Sequence, residues 1–225
     1  MIKNTVVAIV LFITQITFGQ EVITRKLGDF DAVKVFDKIN IELISSNENR
    51  IEISGNENEN VEIVNNNGEL KIRMPLGKLL KGDDIKALLY FKKIETIEAS
   101  EGSYVTSKNV FKQTFLTLNS KAGSEIKLSI NVKKVTIRSN SGATITVDGN
   151  ANNQDVIISS GGILNARNLE TNQTTISVNA GGNADIRASE LVDAKVRAGG
   201  SITIYGKPKQ INQKTVLGGS ISEGN

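Results

Sequence analysis

Residues Val196–Tyr205 read VRAGGSITIY, and the same shape stands twice before them, as VNAGGNADIR over 178–187 and ISSGGILNAR over 158–167. Each copy sets a pair of small residues ahead of a run that alternates apolar and polar. Marking the first glycine of each such pair gives Gly102, Gly123, Gly142, Gly161, Gly181, Gly199 and Gly218, at intervals of 21, 19, 19, 20, 18 and 19 residues. A period near twenty, held over seven marks, is the sequence signature of a solenoid.

The residues around the marks say which kind of solenoid. Three positions after the mark stand Val105, Ile126, Ile145, Leu164, Ala184, Ile202 and Ile221; five after it stand Ser107, Leu128, Val147, Ala166, Ile186, Ile204 and Glu223. Five before it come Ile97, Leu118, Ile137, Val156, Ile176 and Ala194. All share one parity, so in extended chain they face one way, while Glu125, Lys127, Arg138, Asp185, Arg187 and Arg197 between them face the other. Period two inside a period of twenty describes an all-β coil of short strands, stacked on its neighbours by parallel ladders, with about 18–21 residues per coil.

The residue after each mark is Ser103, Ser124, Ala143, Gly162, Gly182, Gly200 or Gly219, always small. A coil must bend between strands, and a bend demands positive φ or a close approach of the next coil's backbone, which glycine permits. The small pairs are therefore expected to be corners. At about 4.8 Å per coil, seven of them span ~34 Å.

Residues 29–98 alternate in the same way with less regular spacing, through Val33, Val35, Ile39, Ile41 and Leu43, then Ile51 and Ile53, Val61 and Ile63, and Leu70, Ile72 and Met74. Asn67-Gly68 is a tight-turn signal. The Asn-rich stretch 55–68 is expected to form solvated turns, and 75–84 an irregular loop before a strand in DDIKALLYF. With no composition shift to mark a linker, one continuous domain is expected over 29–225, divided into less regular coils at 29–98 and glycine-cornered repeats at 99–225.

Ahead of this domain, Lys3, the uncharged apolar run from Thr5 to Phe18 and the small residues Thr17 and Gly19 read as a signal peptide over 1–19, leaving 20–28 as the mature N-terminal segment. The run is shorter than the ~20 apolar residues needed to span a bilayer, and Thr14, Gln15 and Thr17 interrupt it. The expected location is exported: periplasm, outer surface or extracellular. With no cysteine, stability after export must come from packing and backbone pairing alone.

The net charge is +3, or +2 without Lys3, and the basic residues are dispersed, so no nucleic-acid footprint is expected. The chain has no histidine and no cysteine, which removes the commonest general base, the commonest metal ligand and thiolate chemistry. No cofactor, metal site or catalytic residue is expected. The acidic residues Glu98, Glu125, Asp148 and Asp185 fall in different columns or coils, Glu101 and Glu223 fall at nominally inward positions near the ends, and Asp83-Asp84 is a loop pair. None of them makes the facing carboxylate pair that glycan hydrolysis requires.

One column does offer a surface. Four residues after the marks come Thr106, Lys127, Thr146, Asn165, Asp185, Thr203 and Ser222, a polar ladder suited to cross-coil hydrogen bonds and to presenting a flat, repetitive face to a polymer. Aromatics make up 4% of the chain, and Tyr104 and Tyr205, outward on distant coils, are expected to cover corners or ends.

Taken together, FDAVKVFDKINIELISSNENRIEISGNENENVEIVNNNGELKIRM from Phe30 onward and the closing GGSITIYGKPKQINQKTVLGGSIS, with its Tyr205-Gly206-Lys207-Pro208 turn, resemble the head GIN domain family of putative autotransporter adhesins, common in exported proteins of Bacteroidetes. The serine-glycine-serine-glycine-aspartate corners common in that family are reduced here to Gly142-Ala143-Thr144, Gly161-Gly162-Ile163 and Gly199-Gly200-Ser201. The resemblance implies a single-stranded right-handed parallel β-helix and no catalytic residues. The expected function is a noncatalytic envelope or cell-surface module whose partner is an envelope polysaccharide or another surface protein. The competing expectation is a polysaccharide-active or glycan-binding β-helix. Unpaired strand edges at the ends of such a stack predict either capping, by the first strands and the terminal SISEGN, or an end-to-end homodimer.

Overall fold

A computed structural model describes residues 22–225; the expected signal peptide lies outside the described residues. The repeat folds as a parallel β-solenoid of about seven turns. Tyr104–Ser120, Glu125–Ser139 and Thr144–Ser159 each run from one corner to the next as a single bent strand. Later coils break in two, as Ile163–Asn165 with Leu169–Asn179, Asn183–Arg187 with Leu191–Arg197, and Ser201–Tyr205 with Gln210–Val216, before a final Ser220–Glu223.

The sequence period is the register of the ladder. Tyr104, Glu125, Thr144, Ile163, Asn183, Ser201 and Ser220 lie side by side in successive coils. Alternation does the rest, because residues at successive positions of a strand face opposite sides. Val105, Ile126, Ile145, Leu164, Ala184 and Ile202 are all buried, as are Ile97, Leu118, Ile137, Val156, Ile176 and Ala194, in a core continuous from Phe30 to Ile204.

The corners differ in one detail from the expectation. The left-handed pair is the residue before the mark and the mark itself: Ser141 and Gly142 have φ of 51° and 71°, Ala180 and Gly181 have 51° and 80°, and the other coils repeat this. The N–H of Gly102, Gly123, Gly142, Gly161 and Gly199 then reaches a carbonyl of the next corner, as from Gly123 to Ser141 (3.1 Å) and from Gly142 to Ser160 (3.1 Å). The residue after the mark is small for contact, and at Gly200 and Gly219 its φ is positive as well, 103° and 106°. A Cβ on Gly162 would stand 2.4 Å from the Ser139 carbonyl oxygen. Where that residue is serine, its hydroxyl donates across the coils, from Ser103 to the Val35 carbonyl (3.0 Å) and from Ser124 to the Ala99 carbonyl (2.8 Å).

Before the repeat, spatial order departs from sequence order. Ala32–Val35 lies between Glu69–Arg73 and Thr96–Ala99, parallel to both. Asn40–Ser45 likewise lies between Lys86–Phe91 and the start of Tyr104–Ser120. The first coil in sequence is therefore an inner coil of the stack. Antiparallel strands close this end: Glu62–Asn66 pairs with Glu69–Arg73 through the Asn67-Gly68 turn, Arg50–Ser54 returns along Lys86–Phe91, and Ile23–Lys26 adds to Arg50–Ser54. The Asn-rich stretch is less solvated than expected, since Asn58 is buried and its amide donates to the Ile53 carbonyl (3.3 Å).

The far end is closed differently. The terminal SISEGN does not fold over the stack; Ser220–Glu223 continues the parallel ladder on Ser201–Tyr205. At the inward positions of these last strands, Ile211 and Ile221 still pack on the core, while Gln213, Thr215 and Glu223 replace the Ala194, Val196 and Ile204 of the coil before. An end whose inward positions are partly polar tolerates water better than an apolar one, which is how terminal repeats of solenoids stay soluble.

Candidate polymer-facing surface

The outward face of the sheet that follows the corners carries the expected ladder. Thr106 is in register with Lys127, Lys127 with Thr146, Thr146 with Asn165, Asn165 with Asp185, Asp185 with Thr203, and Thr203 with Ser222. Parallel pairing at about 4.8 Å places one polar side chain at every step. Thr106, Thr146, Asp185 and Thr203 are half-buried and Lys127 and Asn165 exposed. The Asn165 amide donates to the Thr146 hydroxyl (3.3 Å), a cross-coil bond of the kind the ladder predicts. The single positive charge, Lys127, and the single negative one, Asp185, leave the seven-residue column without net charge.

Sequence reasoning missed how the column continues. Past Thr106 it runs to Glu42, then Leu88, Glu52 and Thr24. The alternation of Asn40–Ser45 shows that Glu42 faces outward; that it neighbours Thr106 follows only from the inserted coil.

The three tyrosines take different places. Tyr104 opens its strand two residues past the Gly102 corner and pairs with Asn40 and Glu125 on the outward face. Tyr90, on the same face, lies beneath the Arg50 guanidinium, 3.5 Å from the ring centre, and its hydroxyl bonds Glu52 (3.4 Å). Tyr205 does lie near an end, under the Arg167 guanidinium at 4.4 Å.

Apart from the neighbouring Glu101 and Asp37, the carboxylates named from the sequence are held apart or paired with cations. Glu98 bridges to Lys121 (2.7 Å) and more distantly to Lys34 (3.9 Å). Glu69, hydrogen-bonded by Lys34, is held below the usual glutamate range. Asp83 and Asp84 are exposed on the 75–84 loop. Glu101, expected at a nominally inward position, is half-buried at its corner beside the buried Asp37. Burial first, and the nearby Asp37 second, push its carboxyl above the ordinary 4.5. Asp37 in turn accepts the backbone N–H groups of Met74 and Leu80, both at 3.0 Å. That anchor fixes a loop on which Leu76, Leu79 and Leu80 are 84%, 51% and 48% exposed.

A rigid parallel solenoid with a continuous polar ladder on one face is the architecture of a surface-presenting module. The family model described as "Putative auto-transporter adhesin, head GIN domain" matches residues 29–208, and the chain belongs to that family. Among solved structures, a putative adhesin from Bacteroides fragilis superposes with a TM-score of 0.81 at 21% identity, over 91% of this chain and 98% of that one. A putative adhesin from Parabacteroides distasonis gives 0.73 at 19%, over 92% and 97%. A protein from the same species described as a putative lipid binding protein gives 0.69 at 16%, over 93% and 98%. At such identities the likeness is one of fold. No curated protein matches the chain. Among the described residues, no helix is long and apolar enough to cross a membrane.

Proposed function

We propose that this protein is a noncatalytic, exported adhesive module of the cell envelope or surface, and that the column from Thr106 to Ser222 is the face it presents. The observation that carries this reading is the unbroken coil-to-coil register of that column. Repeated polar side chains on a stiff scaffold bind a repeating polymer by many weak, simultaneous contacts, so affinity grows with the length engaged without any single deep pocket. Membership of an adhesin family supports the reading, and the signal-like residues 1–19 support export.

A second reading, in which the partner is another surface protein, is favoured by the exposed leucines of the 75–84 loop. Apolar side chains held out by a buried carboxylate would suit the core of a small protein interface.

One experiment separates the readings. Purified residues 20–225 are incubated with bacterial envelope and host polysaccharides, following retention on each polymer together with release of new chain ends. Retention without release is the expected result. Release of ends would overturn the noncatalytic assignment, and no retention on any polymer would leave the protein partner as the working assignment.

A further inference from the structure

We propose that Tyr104, Leu88 and Glu42 form an anchoring subsite for one pyranose ring of a neutral polysaccharide, whose chain then runs along the ladder from Thr106 onward. This inference rests on the adhesive reading above and adds to it a place, a ligand chemistry and an order of contacts.

A depression of about 350 Å³ opens on the outward face where the inserted coil meets its neighbours. Its floor is the backbone of the paired Ile41 and Ala87, whose side chains turn into the core. Around it stand Tyr104, Leu88, Glu42, Asn40, Lys86 and Thr106. The registers set their order: Glu42 lies between Leu88 and Thr106, and Asn40 between Lys86 and Tyr104. Leu88 and Tyr104 thus stand at opposite corners of one small basin with polar groups between them.

That mixture fits a sugar ring better than it fits either a purely apolar or a purely charged ligand. A pyranose has an apolar C–H face, which packs on an aromatic or aliphatic side chain, and an equatorial fringe of hydroxyls, which needs acceptors and donors. Tyr104 and Leu88 supply the first; the Glu42 carboxylate accepts, the Lys86 ammonium donates, and the Asn40 amide and Thr106 hydroxyl do both. Glu42 is 25% exposed at its side chain and, among the described residues, bridges only to Lys108, itself 86% exposed, at 3.1 Å. A surface pair of that kind is worth little and yields readily to a hydroxyl ligand.

The charge of the surface selects among polymers. Glu42 is offset by Lys108, and Lys127 by Asp185 further along the column, which leaves Lys86 in the basin without an ion-pair partner among the described residues. With that single excess charge, which the Glu42 carboxylate flanks, the surface offers a polyanion no row of cations to bind, whereas a neutral chain needs none. Binding to a neutral chain would then be insensitive to salt, because no counterions are released.

The test uses residues 20–225 against immobilised yeast mannan, laminarin and chitohexaose, with an acidic polymer, alginate, beside them. Tyr104→Ala is expected to lower retention on a neutral polymer at least tenfold and Glu42→Gln severalfold, with the circular dichroism spectrum and melting temperature unchanged; Tyr104→Phe is expected to retain binding. Raising salt from low to about 0.5 M should leave retention on the neutral polymer intact. If Tyr104→Ala misfolds, Tyr104→Leu and Glu42→Gln carry the comparison. Unchanged retention in the Tyr104 and Glu42 variants, with loss in Thr146→Ala or Asn165→Ala, would overturn the subsite and leave the ladder standing. Retention on alginate alone, abolished by salt, would overturn the neutral ligand while preserving adhesion. Failure of every polymer, here and in the wider panel, would overturn the adhesive reading and this subsite with it.

Discussion

Glu101 and Asp37 meet at the first corner of the repeat, where the Lys38 N–H donates to the Glu101 carbonyl at 2.9 Å and the Asp37 carboxyl is the nearest acid to that of Glu101. Burial and the neighbouring acid raise the Glu101 pKa in the folded protein, so the folded state holds that proton more tightly than the unfolded chain does. The group therefore costs no stability below the unfolded value near 4.5 and an increasing amount as pH rises from there through the folded value. Glu101→Gln keeps a donor and removes the charge. It is expected to raise the melting temperature near pH 7 and to match the wild type near pH 4; a gain that is the same at both values would show that the carboxyl pair is not its source.

Asp37 holds the 75–84 loop through two backbone N–H groups. Hydrogen bonds to a charged acceptor are worth about 1.5–3 kcal/mol each, and losing this one leaves two donors without a partner. Asp37→Ala is expected to destabilise by about 2–4 kcal/mol, and Asp37→Asn by less, since asparagine keeps an acceptor and tolerates the φ of 59° found there. Urea titration measures both, and faster proteolytic cleavage within 75–84 in Asp37→Ala would localise the effect.

The corner architecture predicts unequal costs at adjacent glycines. Gly161 has φ of 74° with open space around a would-be Cβ, so Gly161→Ala carries only the left-handed penalty of about 1–2 kcal/mol. Gly162 instead lies against the Ser139 carbonyl, and a Cβ there forces the coils apart. Gly162→Ala is expected to cost more, about 2–3 kcal/mol. Equal melting temperatures for the two variants would mean that the coils are not stacked as closely as described.

Ile145 is wholly buried between Ile126 and Leu164. Ile145→Asp places an unpaired charge in the middle of the stack and is expected to prevent folding, while Ile145→Val costs about 0.5–1.5 kcal/mol. A soluble Ile145→Asp protein with the wild-type circular dichroism and melting profile would refute the inward register.

Much of this molecule was legible along the chain because its coils are local in sequence. A period near twenty is a direct copy of the parallel register, so Thr106, Lys127, Thr146, Asn165, Asp185 and Thr203 could be set in one column by counting from the glycines, and the structure places them side by side. The glycine pairs pointed to the corners, though not to the fact that the left-handed residues are Ser141 and Gly142 rather than Gly142 and Ala143. That depends on backbone torsions, and the first position, which is glutamate at 101, leucine at 217 and alanine or serine at the other corners, gives no outward sign of them.

The end of the stack that precedes the repeat was decided only in three dimensions. Alternation assigns Val33, Ile41, Leu70 and Leu89 to a core, but it carries no information about which strand lies beside which. The insertion of Asn40–Ser45 between Lys86–Phe91 and Tyr104–Ser120 joins segments far apart in sequence, and no period records it. For this reason the sequence by itself determined the coil, its faces and its ladder, whereas tertiary structure alone brought Glu42 beside Leu88 and Thr106, and Tyr104 beside Asn40. Repetition writes neighbour contacts into the chain at fixed intervals; a single non-local pairing is selected by the burial and hydrogen bonding of the whole end at once.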